Sequence, residues 1–148
     1  LTISYKNLDL LFMKIEEIIE RVKTLNLEPN TYIILGSCPM AIYNLREVSD
    51  IDIMVTKKIY DKLKNVGWEY KYKDINDGPL SNGVFEVLTG FRFGTYRPTL
   101  SQLLEKAVTI DEVVFSSLGE VRKWKSLLGR PKDMADIKLI DDYLNNQN

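Results

Sequence analysis

The chain has 148 residues, 45% hydrophobic and 28% charged, and its 20 basic and 21 acidic residues leave a net charge of −1. That length and composition suit one ordinary globular domain, and the balanced charge excludes a broad, sequence-independent coating of nucleic acid. There is no histidine, which removes Ser-His-Asp and Cys-His catalysis and every His-bearing metal site; any chemistry runs on carboxylates, Lys, Arg, Tyr or a hard metal ion.

Leu8, Leu11, Ile15, Ile18, Ile19, Val22 and Leu25 recur at helical spacing, which predicts an amphipathic helix from Leu8 to Leu25 with Lys14, Glu16, Glu17, Glu20 and Lys23 mostly facing water. The acids spread through this opening segment do not suit a signal peptide. No stretch approaches the roughly 20 apolar residues of a membrane span, and the single Cys38 cannot form an internal disulfide, so a cytoplasmic location is expected. Tyr32 to Leu35 reads as a buried strand, and Cys38 to Leu45 as a short helix with Pro39 in its first turn. Asp50 to Val55 is the next strand, and Lys58 to Val66 a helix closed by Gly67. Trp68 to Tyr72 alternates like a half-exposed strand, and Asp74 to Pro79 is a turn cluster. Gly83 to Leu88 reads as a strand, with continuation past Gly90 through Phe91 and Phe93 left open. Ser101 to Ala107 is a short helix and Val113 to Phe115 a last strand. Helices over Leu118 to Leu128 and Pro131 to Asn145 finish the chain, separated by Gly129 as a C-cap. The order αβαβαββαβαα predicts one α+β (α/β-like) domain over residues 1–148, a mixed β-sheet flanked by helices with two helices at the C-terminal end.

Asp50 and Asp52 stand at i and i+2 of a strand, so both carboxylates face one way while Ile51 and Ile53 face the other. Two acids so close repel unless water surrounds them or a cation lies between them, and paired carboxylate oxygens suit Mg²⁺. An isolated pair of this kind is equally an acidic strand face. Upstream, Gly36 and Ser37 sit at a strand–helix junction, where backbone N–H groups can cradle a phosphate, Gly36 allows close approach, and Ser37 can cap the helix or bond a phosphate oxygen. Arg46, in the loop before Asp50, is either within reach of phosphates or a solvated loop charge.

Taken together, Leu35-Gly36-Ser37, the intervening residues 38 to 49, and Asp50-Ile51-Asp52-Ile53 resemble the hydrophobic-Gly-Ser … Asp-x-Asp signature of the polymerase-β-like nucleotidyltransferase superfamily, and its small, minimal and antibiotic-modifying members above all. A second stretch, Lys125 with Arg130-Pro-Lys132-Asp133-Met-Ala-Asp136-Ile137, resembles the helical ending of many small members. The resemblance implies a nucleotidyltransferase-type fold and a metal-dependent transfer of an NMP group from an NTP, ATP by preference, to an acceptor hydroxyl. It implies Mg²⁺ or Mn²⁺ held by Asp50, Asp52 and a third acid, for which Glu86 in Val84 to Leu88 is the candidate, and phosphates held at Gly36 and Ser37. Lys125, Arg130 and Lys132 are then candidates to add positive charge to the triphosphate, the alternative being local roles at the last helix. Cys38 is expected to be a small packed residue, and Trp68, Tyr70 and Tyr72 either stack on a base or cover a sheet face. A non-catalytic nucleotide-binding or antitoxin-like regulatory module of the same fold, with a helical partner protein or a second copy, is the alternative. A plain scaffold whose acids are surface decoration is the remaining one.

Overall fold

Four consecutive apolar residues form β1 (Tyr32–Leu35), and all four are buried because this strand lies inside a sheet covered on both faces. The computed structural model describes residues 12–147, with this chain order: α1 (Ile15–Lys23), β1, α2 (Cys38–Ile42), β2 (Ile51–Val55), α3 (Lys57–Asn65), β3 (Glu69–Tyr70), β4 (Leu80–Asn82), β5 (Phe85–Leu88), α4 (Leu100–Glu105), β6 (Val108–Ile110), β7 (Val113–Phe115), α5 (Leu118–Leu128) and α6 (Pro131–Asn145). The strands make one mixed sheet in the order β3-β4-β5-β2-β1-β7-β6. β1 runs antiparallel to β2 and parallel to β7, and β2 runs parallel to β5. The expected class, α+β with a mixed sheet and two final helices, is the one observed.

Period-two alternation sorts the side chains. Tyr32, Ile34, Ile51, Ile53, Val55 and Phe115 join the larger cluster, together with Ile18, Ile19 and Val22 of α1 and Tyr60 of α3. On the opposite face Ile33, Leu35 and Met54 pack with Leu103 of α4. A third cluster, Met40, Leu118, Val121 and Ile140, fastens α2 to the hairpin of α5 and α6. Capping sets several helix starts: Thr56 accepts from the Ile59 N–H, Thr99 and Gln102 exchange bonds at α4, and Ser117 accepts from the Glu120 N–H.

The structure departs from the sequence reading at the short elements. Of the helix expected over Leu8 to Leu25, residues 8–11 lie outside the described residues, and α1 begins at Ile15. α2 ends at Ile42 rather than Leu45, since Asn44 turns to φ +56°. The strand expected over Trp68 to Tyr72 shortens to β3, and β4 and β6 are additional short strands. β5 stops at Leu88; beyond Gly90, Phe93 pairs instead with Tyr96 across a tight turn at Gly94. Among the described residues no helix is long and apolar enough to cross a membrane.

Candidate active site

The antiparallel register of β1 and β2 sets Leu35 opposite Asp52, so the turn at Gly36 leaves β1 beside the start of β2. Gly36 has φ +70°, and a Cβ placed there would collide with Asp52 Oδ2. Glycine is needed twice over, for its left-handed backbone and for the carboxylate lying against it. The parallel register of β2 and β5 then sets Asp52 opposite Glu86, on the face that also carries Met54 and Leu88. Asp50 lies one residue before β2 and is exposed, Asp52 and Glu86 are half-buried, and all three line one cavity of about 290 Å³.

Burial pushes the Asp52 carboxyl up to about 7, and the charges of Glu86 and Asp50 add to the rise, against a partial offset from Lys71. Lys71, just past β3, reaches into the same cavity, with Nζ donating to Glu86 Oε2 at 2.8 Å. The chain order hides this pairing; only the β3-β4-β5 meander brings residue 71 against residue 86. The remaining wall is apolar and aromatic: Leu35, Leu88, Phe91, Phe93 and Trp124. The sequence marks none of its three aromatic residues for the site, Phe91 and Phe93 reading only as a strand continuation left open, because Phe93 and Trp124 meet only through tertiary packing.

The other candidate residues, Lys132 apart, fall into a separate network. Lys125, with a side chain 3% exposed, donates to Ser37 Oγ at 3.0 Å and pairs with Asp136 Oδ2 at 2.8 Å. Arg46 Nη1 reaches the same Asp136 oxygen at 2.7 Å, which turns it away from the cavity. Arg130 donates from both its backbone N–H and Nε to Asp133 Oδ2 at the start of α6. Burial alone would raise the Asp133 carboxyl, but the Arg130 hydrogen bonds and the Lys125 charge hold it below the usual carboxylate range. Lys132 is exposed on the first turn of α6. Ser37 precedes α2 without capping it; its hydroxyl accepts from Lys125 instead. A buried lysine with two acids and a hydroxyl is a fastening between the Gly36–Ser37 turn and the α5–α6 hairpin. Lys125 is therefore tied to the Gly36–Ser37 turn through the Ser37 hydroxyl, and none of Ser37, Arg46, Lys125, Arg130 and Lys132 lines the carboxylate cavity.

Cys38 is fully buried, donates to the Asp50 carbonyl at 3.2 Å, and has its thiol pushed far up by burial, so it is a packed residue and no nucleophile. Trp68 is buried against Phe85, Tyr70 lies under Lys64, and Tyr72 is exposed beside Lys71; none of them faces the cavity.

Among the described residues no three acidic or thiol side chains stand as a ready-made metal cage. Mg²⁺ does not ask for one, since it takes one or two carboxylates and completes its shell with water and phosphate oxygens. Asp50 and Asp52 offer that set, and the burial and neighbouring negative charges that together lift the Asp52 carboxyl are what a bound cation would offset. No family model, curated protein or solved structure matches the chain.

Proposed function

We propose that the chain is a metal-dependent nucleotidyltransferase of the polymerase-β-like type, moving an NMP group from an NTP to an acceptor hydroxyl. One observation carries the reading: Asp52 lies against Gly36 on one side and opposite Glu86 on the other, with Asp50 lining the same cavity. Asp50 and Asp52 would hold Mg²⁺ or Mn²⁺, which supplies Lewis-acid polarisation of the α-phosphate and neutralises charge on the departing pyrophosphate. The glycine turn lets phosphate oxygens approach the backbone at Gly36. Glu86 takes the proton of the acceptor hydroxyl, the acceptor oxygen bonds to the α-phosphorus, and the bond to pyrophosphate breaks. Lys71, already on Glu86, must yield its hydrogen bond for that proton transfer and can follow the phosphates as their counter-charge.

The Lys71–Glu86 pair is also what favours the second reading, a nucleotide-binding module without transfer. A carboxylate whose oxygen already accepts from a lysine at 2.8 Å must break that contact before it can receive the acceptor's hydroxyl. The two readings part in one experiment. Labelled NTPs are incubated with the protein, Mg²⁺ or Mn²⁺, and cell extract as the acceptor source. Labelled product that disappears with Asp52→Asn and Glu86→Gln supports transfer. Nucleotide binding without product supports the binding module, and no metal-dependent binding at all overturns both.

A further inference from the structure

The carboxylate cavity has a second wall to which the transfer chemistry gives no task. Phe93, at the Gly94 turn, and Trp124, on α5, stack at 6.2 Å between ring centroids and 16° between planes. Both are half-buried and belong to none of the three core clusters, so they pack on each other and on the cavity rather than into the interior. Phe91 stands behind them, 5.7 Å from Phe93, and is itself packed against the cluster of Ile33, Leu35, Met54 and Leu103. The Lys125 ammonium lies 4.7 Å from the Trp124 ring centroid and pins the indole from the side of the buried network. The aromatic wall is thus held in place before any ligand arrives.

We propose that this wall seats the nucleobase of the nucleotide whose phosphates meet the carboxylate wall. The inference rests on the nucleotide reading above and adds which residues hold the base. A ligand filling the cavity must be charged or metal-bound at one end and flat and apolar at the other. Near-parallel aromatic rings favour a planar ring over an alkyl chain, through offset stacking. A cationic ligand, which acids and aromatic rings can also attract, would have to displace Lys71 from Glu86 and would meet a Trp124 ring already faced by the Lys125 ammonium. A magnesium nucleotide satisfies both walls. Stacking reads the π-face that every base has, so the wall selects for a base without selecting strongly among bases.

Calorimetric titration with two probes tests this: Mg²⁺–ATP, and Mg²⁺–tripolyphosphate, which has the charge but no base. The proteins are wild type, Trp124→Ala, Phe93→Leu and Trp124→Phe, each checked for folding by thermal melt. Trp124→Ala and Phe93→Leu should weaken Mg²⁺–ATP by about 5- to 150-fold, the worth of one base–aromatic stack, while changing tripolyphosphate affinity less than about twofold. Trp124→Phe, which keeps a flat face, should recover most of the loss. Equal losses for both probes, or unchanged ATP binding in a folded Phe93→Leu or Trp124→Ala protein, overturn the wall assignment and leave the carboxylate reading standing. A wild type that binds neither probe overturns the nucleotide reading and the wall with it.

Discussion

Replacing Asp52 by Asn keeps the side chain's shape and removes its charge, and the structure fixes what should follow. The carboxyl titrates near 7 in the folded protein against an ordinary value of 3.8, a rise caused by burial first and by the Glu86 and Asp50 charges next. The folded state therefore holds its proton where the unfolded chain has lost it, and stability falls as pH rises between about 4 and 7, then levels off. The full gap is worth about 4 kcal/mol at the top of that window; partial exposure and water in the cavity reduce it to about 1–3 kcal/mol. At roughly 2–4 °C per kcal/mol for a chain of this size, Asp52→Asn should melt about 2–12 °C above wild type at pH 8.5. Lowering the pH to 4.5 should shrink the difference by more than half, because wild-type Asp52 is then neutral in the fold. Adding Mg²⁺ at pH 8.5 should raise the wild type and leave the variant where it was. Melting curves at two pH values with and without Mg²⁺ decide the matter. A gap that does not change with pH, or a variant that melts lower at pH 8.5, would refute a desolvated, repelled carboxylate at this position.

Gly36→Ala should destabilise the fold by about 1–3 kcal/mol, from the left-handed backbone and the collision with Asp52, and should weaken Mg²⁺–ATP in calorimetry; a folded variant with unchanged nucleotide affinity would separate the turn from the site. Lys125→Met strands Asp136 with Arg46 as its remaining partner and frees the Ser37 hydroxyl, so urea unfolding should show a loss of about 3 kcal/mol, toward the lower end for a broken buried pair. A loss below about 1 kcal/mol would mean that the network is solvated. Lys71→Gln should change stability by less than about 1 kcal/mol, since the lysine is 40% exposed, yet should tighten Mg²⁺ binding by removing a positive charge that acts on Asp52; weaker Mg²⁺ binding would show that Lys71 supports the site instead of competing with the ion.

The long elements are readable from apolar spacing and caps, as at β1, β2, α5 and α6, where burial repeats the sequence pattern. The two strands absent from that reading exist by pairing alone. β6 and β7 turn around Asp111 and Glu112, both with positive φ, a conformation that Asn-Gly signals and Asp-Glu does not. β4 follows Pro79 and is only three residues long, so periodicity has nothing to act on. Asp52 and Glu86 were readable because two strands place them by alternation, and Asp50 because it directly precedes the first of those strands, although it lies outside the strand expected to hold it. Lys71, Phe93 and Trp124 were not, since each reaches the cavity from an element whose position depends on the meander or the hairpin. In the Lys125 stretch the Arg130–Asp133 pair is the local one that the sequence offers, but the pairing of Lys125 with Asp136 rather than with a ligand is decided by the packing of α6 on α5.

The contact between Gly36 and the Asp52 carboxylate also bears on how this chain can diverge. A side chain at position 36 would have to push the Asp52 carboxylate aside, whereas the bare backbone at 36 places no such demand on 52. The constraint between the two positions is therefore lopsided. A descendant with a shorter side chain at 52 is released to accept Asn or Ala at 36 at the expense of modest backbone strain, and an acid restored at 52 would then be turned away from its place against the turn. Relatives with a residue other than Gly at 36 should carry a smaller residue at 52, or an acid displaced from the turn.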